Sequence, residues 1–157
     1  MTTFLIIAGI VAVIIVILKS VKVKTKPKSL YDQLMEIPGM KQQKDMYDLL
    51  SKANEEGDGT EEDEMPEGYG KFGLEATNPV PTNTIFGSVS YLGRLRTLDG
   101  VKVTYDRIGP MHAPNISQTI DSYRIFANER QIAILYICPY NKKNSTKAPE
   151  GFRLILI

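Results

Sequence analysis

The chain has 157 residues, a formal net charge of +1, 24% charged residues, one cysteine and one histidine. A lone histidine cannot build a zinc site without several cysteine or acidic partners, so neither a metal nor a cofactor is expected. The small net charge hides a segregation that divides the chain: residues 19–28 carry +5, residues 29–54 carry −1, residues 55–67 hold eight acids and no base, and residues 68–157 carry +5.

Residues 1–18 contain no charge, and every residue of 4–18 is apolar or glycine. Fifteen residues make about 22 Å of helix, against a hydrocarbon core of roughly 30 Å; flanking lysine stems can snorkel across much of the difference. A cleaved signal peptide would carry its charge before the apolar run and a small-residue site after it, and here the order is reversed. The stretch reads as a single transmembrane anchor. Lys19, Lys22, Lys24, Lys26 and Lys28 follow it at once, and the positive-inside rule then places the N-terminus outside an inner membrane and the remaining chain in the cytoplasm. One free cysteine agrees with a reducing compartment. The same lysines are candidate contacts to an anionic membrane surface.

In 29–54, Ser29-Leu30-Tyr31-Asp32 resembles a capping box opening a short helix, and Pro38-Gly39 ends it. A second helix follows from about 40 to 53, with Met46, Tyr47, Leu49 and Leu50 as its apolar stripe. The acidic run 55–67 is nearly free of large apolar residues and reads as a solvated, self-repelling linker. Its alternative role is a cover over the basic face beyond it.

From residue 68 the apolar period changes to two. Asn78-Pro79-Val80-Pro81 is extended and unsuited to helix or inner strand. Residues 89–97 read as a strand, Asp99-Gly100 as a hairpin turn, and 101–105 as its half-buried return. Residues 120–127 pair across Asn128-Glu129 with 131–138, where the doubly apolar run 132–137 is expected to be central, and 152–157 form a last strand. The reading is an α+β chain: a transmembrane anchor at 1–18, a basic juxtamembrane segment at 19–28, amphipathic helices at 29–54, an acidic linker at 55–67, and at 68–157 a small antiparallel β barrel or sandwich of five or six strands.

Gly68-Tyr69-Gly70-Lys71-Phe72-Gly73 matches a dinucleotide or kinase glycine pattern, but neither the flanking strand and helix nor the companion kinase motifs are present; turn glycines are expected. Cys138, at the end of a buried strand before Pro139, reads as structural. Arg94, Arg96 and Lys102 form a candidate basic binding face, extended by Arg107, Lys142, Lys143 and Lys147. Nucleic acid is disfavoured because Tyr91 and Tyr105 are expected in the core rather than between the bases.

Asn78-Pro79-Val80-Pro81, Gly87, Tyr91-Leu92, Arg107-Ile108-Gly109, Ile120-Asp121-Ser122-Tyr123 and Ala148-Pro149-Glu150-Gly151-Phe152 together resemble a pattern of small uncharacterised bacterial membrane-anchored proteins. The resemblance covers about the last 80 residues. It implies a reusable β module and brings no activity with it.

The function expected is a membrane-tethered, non-enzymatic interaction or adaptor protein, or an accessory subunit of a membrane complex, with the bilayer and one protein as partners. One alternative is a small enzyme with its site in loops 109–119 and 139–150, where His112, Asp121 and Arg107 are the residues to test. Another is a sensor of anionic lipid.

Overall fold

The computed structural model describes residues 30–155. They fall into two units that divide at Met40. In the first, α1 (Leu30–Met35) is a six-residue helix. Turns then follow, with Ile37 N–H donating to Leu34 O at 3.1 Å and Met40 N–H to Ile37 O at 3.1 Å. Gly39, at φ +84, supplies the left-handed residue that such a stop requires.

The second unit opens with α2 (Met40–Glu56). Lys44–Asp48 and Lys52–Glu56 face one another at i,i+4 spacing, each pair supporting the helix by a few tenths of a kcal/mol, about 0.3–0.5. None of its residues is fully buried. It is held at its C-terminal end, where Asn54 Nδ2 donates to Pro139 O at 2.9 Å, and at its middle, where Tyr47 meets Phe86 edge to face with centroids 5.9 Å apart.

The remaining elements are β1 (Val80–Pro81), α3 (Thr84–Arg94), β2 (Leu95–Thr97), β3 (Thr104–Ala113), β4 (Ile116–Ala127), β5 (Arg130–Cys138) and β6 (Phe152–Leu154). Four strands form one sheet in the order β1-β5-β4-β3, and β2 pairs with β6 in a second. The β4–β5 hairpin turns through Asn128 and Glu129, both at positive φ (49° and 64°). This backbone twists with the flanking strands, as two-residue hairpins require. β3 is an edge strand, bulged between Arg107 and Gly109 and again between Met111 and Ala113. With Pro110 between the bulges, that edge offers a poor template for another strand.

Helix α3 anchors the larger core. Its buried residues Thr84, Gly87, Ser88, Tyr91 and Leu92 follow helical spacing. Tyr91, Leu92 and Leu95 pack with Tyr123, Ile125, Leu135, Ile137 and Val80. Complete burial of one such aliphatic side chain contributes about 1.5–3 kcal/mol. Met65, Ala113, Ile116, Ile120 and Cys138 form a smaller second core.

Three sequence expectations are corrected. The domain is neither a closed barrel nor wholly antiparallel: β1 runs parallel to β5, with Val80 opposite Ile137 and Pro81 opposite Cys138, and the fold is a β-rich mixture of helices and two separate sheets. The strand expected at 89–97 is mostly α3, with only Leu95–Thr97 extended. The single-pass placement in an inner membrane, with a cytoplasmic domain, is also withdrawn. Among the described residues no helix is long and apolar enough to cross a membrane, since the longest, α2, carries three lysines and four acids. The apolar run 1–18 that prompted that reading lies outside the described residues, as does the basic segment 19–28.

Candidate binding groove

A groove forms where the acidic segment meets the sheet. Residues 58–67 are no free linker: they lie as a strap along the loop that follows β5. Thr60 N–H donates to Asn141 Oδ1 at 3.0 Å, and Lys142 N–H returns a bond to Thr60 O at 3.0 Å. Ser145 Oγ donates to Asp63 O at 2.7 Å. The Asp63 carboxylate receives Thr146 N–H at 2.9 Å and Thr146 Oγ1–H at 2.8 Å. Those two bonds, aided by Lys143, hold the Asp63 carboxyl below the usual carboxylate range. Lys142 pairs with Glu61 at 3.7 Å and Lys147 with Glu64. Met65, 8% exposed, pins the strap into the second core. Gly59 approaches so closely that a Cβ there would collide with the Tyr140 carbonyl.

The loop that receives the strap is itself fixed by buried polar bonds. Asn83 Nδ2 donates to Lys142 O at 2.9 Å, Asn83 N–H to Asn144 Oδ1 at 2.8 Å, and Asn141 Nδ2 to Cys138 O at 2.8 Å. Asn141 N–H donates to Thr82 O and Ser145 N–H to Pro81 O. Both walls of the groove therefore rest on hydrogen-bonded supports rather than on free loops.

Two adjoining cavities of about 190 Å³ and 610 Å³ share Asp58, Ser117 and Gln118 and together make up the groove. Asp58, Thr60 and Glu67 contribute from the strap, Asn115 and Thr119 from the start of β4 and its turn, and Asn54 and Tyr140 from α2 and the loop after β5. Among the described residues no lysine, arginine or histidine lines either part. Ala53, Asn54 and Gly57 belong to the C-terminal end of α2, where the helix dipole is negative and no basic residue occupies the last turn. Two carboxylates and a helix C-terminus make the groove electronegative. Its amides and hydroxyls offer hydrogen bonds in both directions.

The residues singled out from sequence lie elsewhere. Arg107 and Asp121 do meet, Nη2 to Oδ1 at 2.6 Å, with Asp121 buried and Arg107 half exposed. Asp121 reinforces the Arg107 charge, and burial, with Asp121 second, pushes the Tyr123 hydroxyl up to about 12. His112 sits exposed in the second bulge of β3, and none of the three lines the groove. Arg94 ends α3 rather than sharing a strand face with Arg96. Its Nε donates to Ile155 O, and Arg96 Nη1 donates to Gly93 O and Leu95 O. Lys102 faces Arg96 across an isolated bridge. The membrane-surface residues Lys19, Lys22, Lys24, Lys26 and Lys28 lie outside the described residues. The Cys138 thiol is buried, and burial pushes its pKa up.

Of the stretches expected as loops for a site, 109–119 lies largely in β3 and β4 and supplies Asn115, Ile116, Ser117, Gln118 and Thr119 to the groove, and 139–150 supplies Tyr140. Sequence reasoning missed Asp58, Thr60 and Glu67 because it treated the acids as solvated. The available signal was Met65-Pro66, an apolar and rigid pair inside the acidic run. Among the described residues no group of three His, Cys, Asp or Glu side chains could hold a metal ion. No protein-family model, no curated protein and no solved structure matches this chain.

Proposed function

We propose that this protein is a non-enzymatic interaction module whose groove takes a basic, extended segment of a partner protein. The observation that carries the reading is the lining itself: Asp58 and Glu67 beside the negative end of α2, with no cation among the described residues that line it. A lysine or arginine side chain of the partner would enter between the carboxylates. Asn54, Ser117, Gln118 and Thr119 would hold its backbone. Charge complementarity of this kind speeds encounter and selects the partner.

The test is titration of the full chain with fluorescent peptides of equal length, lysine/arginine-rich or glutamate-rich, at two salt concentrations. The basic peptide should bind, more weakly at high salt. Asp58→Asn with Glu67→Gln should weaken binding roughly threefold to tenfold, as expected for two partly exposed charge pairs. Equal binding of both peptides, or an unchanged affinity in the double variant, would refute the proposal.

A further inference from the structure

We infer that the exposed apolar face shared by α2 and α3 is where a second copy of this chain docks. On α2, Met46, Leu49 and Leu50 are 52%, 65% and 36% exposed, and Leu49 and Leu50 neighbour Met46 at i+3 and i+4. Tyr47, 40% exposed, carries the surface across to Phe86 through their edge-to-face contact. Leu50 and Ile85 share the wall of a cavity of about 130 Å³, and Val89 prolongs the face along α3.

Area argues for a partner. At these exposures the face presents roughly 700 Å² of mostly apolar surface, more than the largest patch of a typical monomer (about 300–600 Å²) and close to the about 800 Å² that each side of a standard interface contributes. The helix bearing it gives no sign of selecting a charged partner. Its three lysines and four acids nearly balance, and Lys44–Asp48 and Lys52–Glu56 are already paired within it. A surface of balanced charge can approach its own image without repulsion, and a two-fold axis lets one patch serve both sides.

Gly93 points the same way. It follows Val89 by four residues near the end of α3, and a Cβ there would meet nothing within 4 Å. Among the described residues nothing crowds this position, although glycine in a helix is less stable than alanine by roughly 0.5–1 kcal/mol. In the dimer it leaves the backbone open to a closely approaching helix.

Sedimentation velocity of the full chain, from low to high micromolar concentration, tests the inference. The wild type should sediment as a concentration-dependent dimer. Leu49→Glu and Phe86→Glu should each raise the dimer dissociation constant at least tenfold, with far-UV circular dichroism unchanged. Leu49 is two-thirds exposed, so its substitution reports on assembly even if Phe86→Glu perturbs folding. A monomeric wild type would overturn the inference. So would a dimer that survives Leu49→Glu combined with Phe86→Glu.

Discussion

Arg107 and Asp121 form an ion pair whose partners stand in different surroundings, and this asymmetry decides what either substitution should do. The Asp121 side chain is 6% exposed and that of Arg107 is 50% exposed. Removing Asp121 leaves a guanidinium that can turn into water. Removing Arg107 leaves a buried carboxylate without its cation, the arrangement that is expensive in protein interiors. Arg107→Met should therefore destabilise by roughly 1–3 kcal/mol, less than a fully buried pair would lose because Arg107 is half exposed, and Asp121→Asn by less, about 1 kcal/mol or below. Urea denaturation of the two variants checks the order, and equal losses would mean that Arg107 does little for the buried carboxylate. The pairing was half legible in sequence, since both residues were singled out but as parts of a site. Their cross-strand placement depends on the bulge after Arg107, which puts Gly109 rather than Ile108 opposite Ser122; the Gly109-Pro110 pair that marks such a bulge reads equally well as the start of a loop.

Among the elements, the strap is the one whose composition most misleads. Six acids in ten residues read as solvent-borne charge, yet Asp63 is received by Thr146, and Glu61 and Glu64 meet lysines. Asp63→Asn should lower stability by roughly 1 kcal/mol once solvent screening of this part-exposed group is allowed for. A carboxyl whose folded pKa is depressed stabilises the fold above its unfolded pKa and loses that contribution as pH falls through the folded value. The gap between wild type and Asp63→Asn should thus be steady above about pH 5 and shrink below about pH 4. Denaturant midpoints taken across that range would show it, and a gap independent of pH would remove the carboxylate from the account.

The β4–β5 hairpin was legible because two apolar-rich runs flank a two-residue turn. Glu129 is the imperfect residue in that turn, at φ +64. Glu129→Gly should raise stability by roughly 0.5–1 kcal/mol, relief of left-handed strain outweighing the added chain entropy. An unchanged or lower thermal midpoint would show that the turn is not strained there. Helix α3 was illegible for the opposite reason. Ile85, Phe86 and Val89 are exposed while Tyr91 and Leu92 are buried, so apolar residues surround the helix and erase its period. The turn at Asp99-Gly100 was found, but its strands join by a single bridge, Arg96 to Lys102, before β3 leaves to pair with β4.

At the scale of the molecule, local patterns stood out and distant pairings did not. Apolar runs on either side of Asn128-Glu129 marked β4 and β5, whereas nothing local could show that Val80-Pro81 would lie parallel to the end of β5 or that β2 would find β6. The groove depends on the same kind of distant contact. Asp58 and Glu67 face Ser117 and Gln118, and the strap is held by Asn141, Ser145 and Thr146, more than eighty residues downstream of Thr60 and Asp63.

That separation has a consequence during synthesis. With the ribosome adding about 5–20 residues each second, the strap emerges seconds before the loop that receives it. In the interval Lys142, Lys143 and Lys147 have not been made, and Met65 has no complete second core to enter. The groove is thus among the last features of the second unit to form. A chain stalled before Thr146 would carry the carboxylates of the site without the site, so a partner recognising the groove would recognise a finished domain.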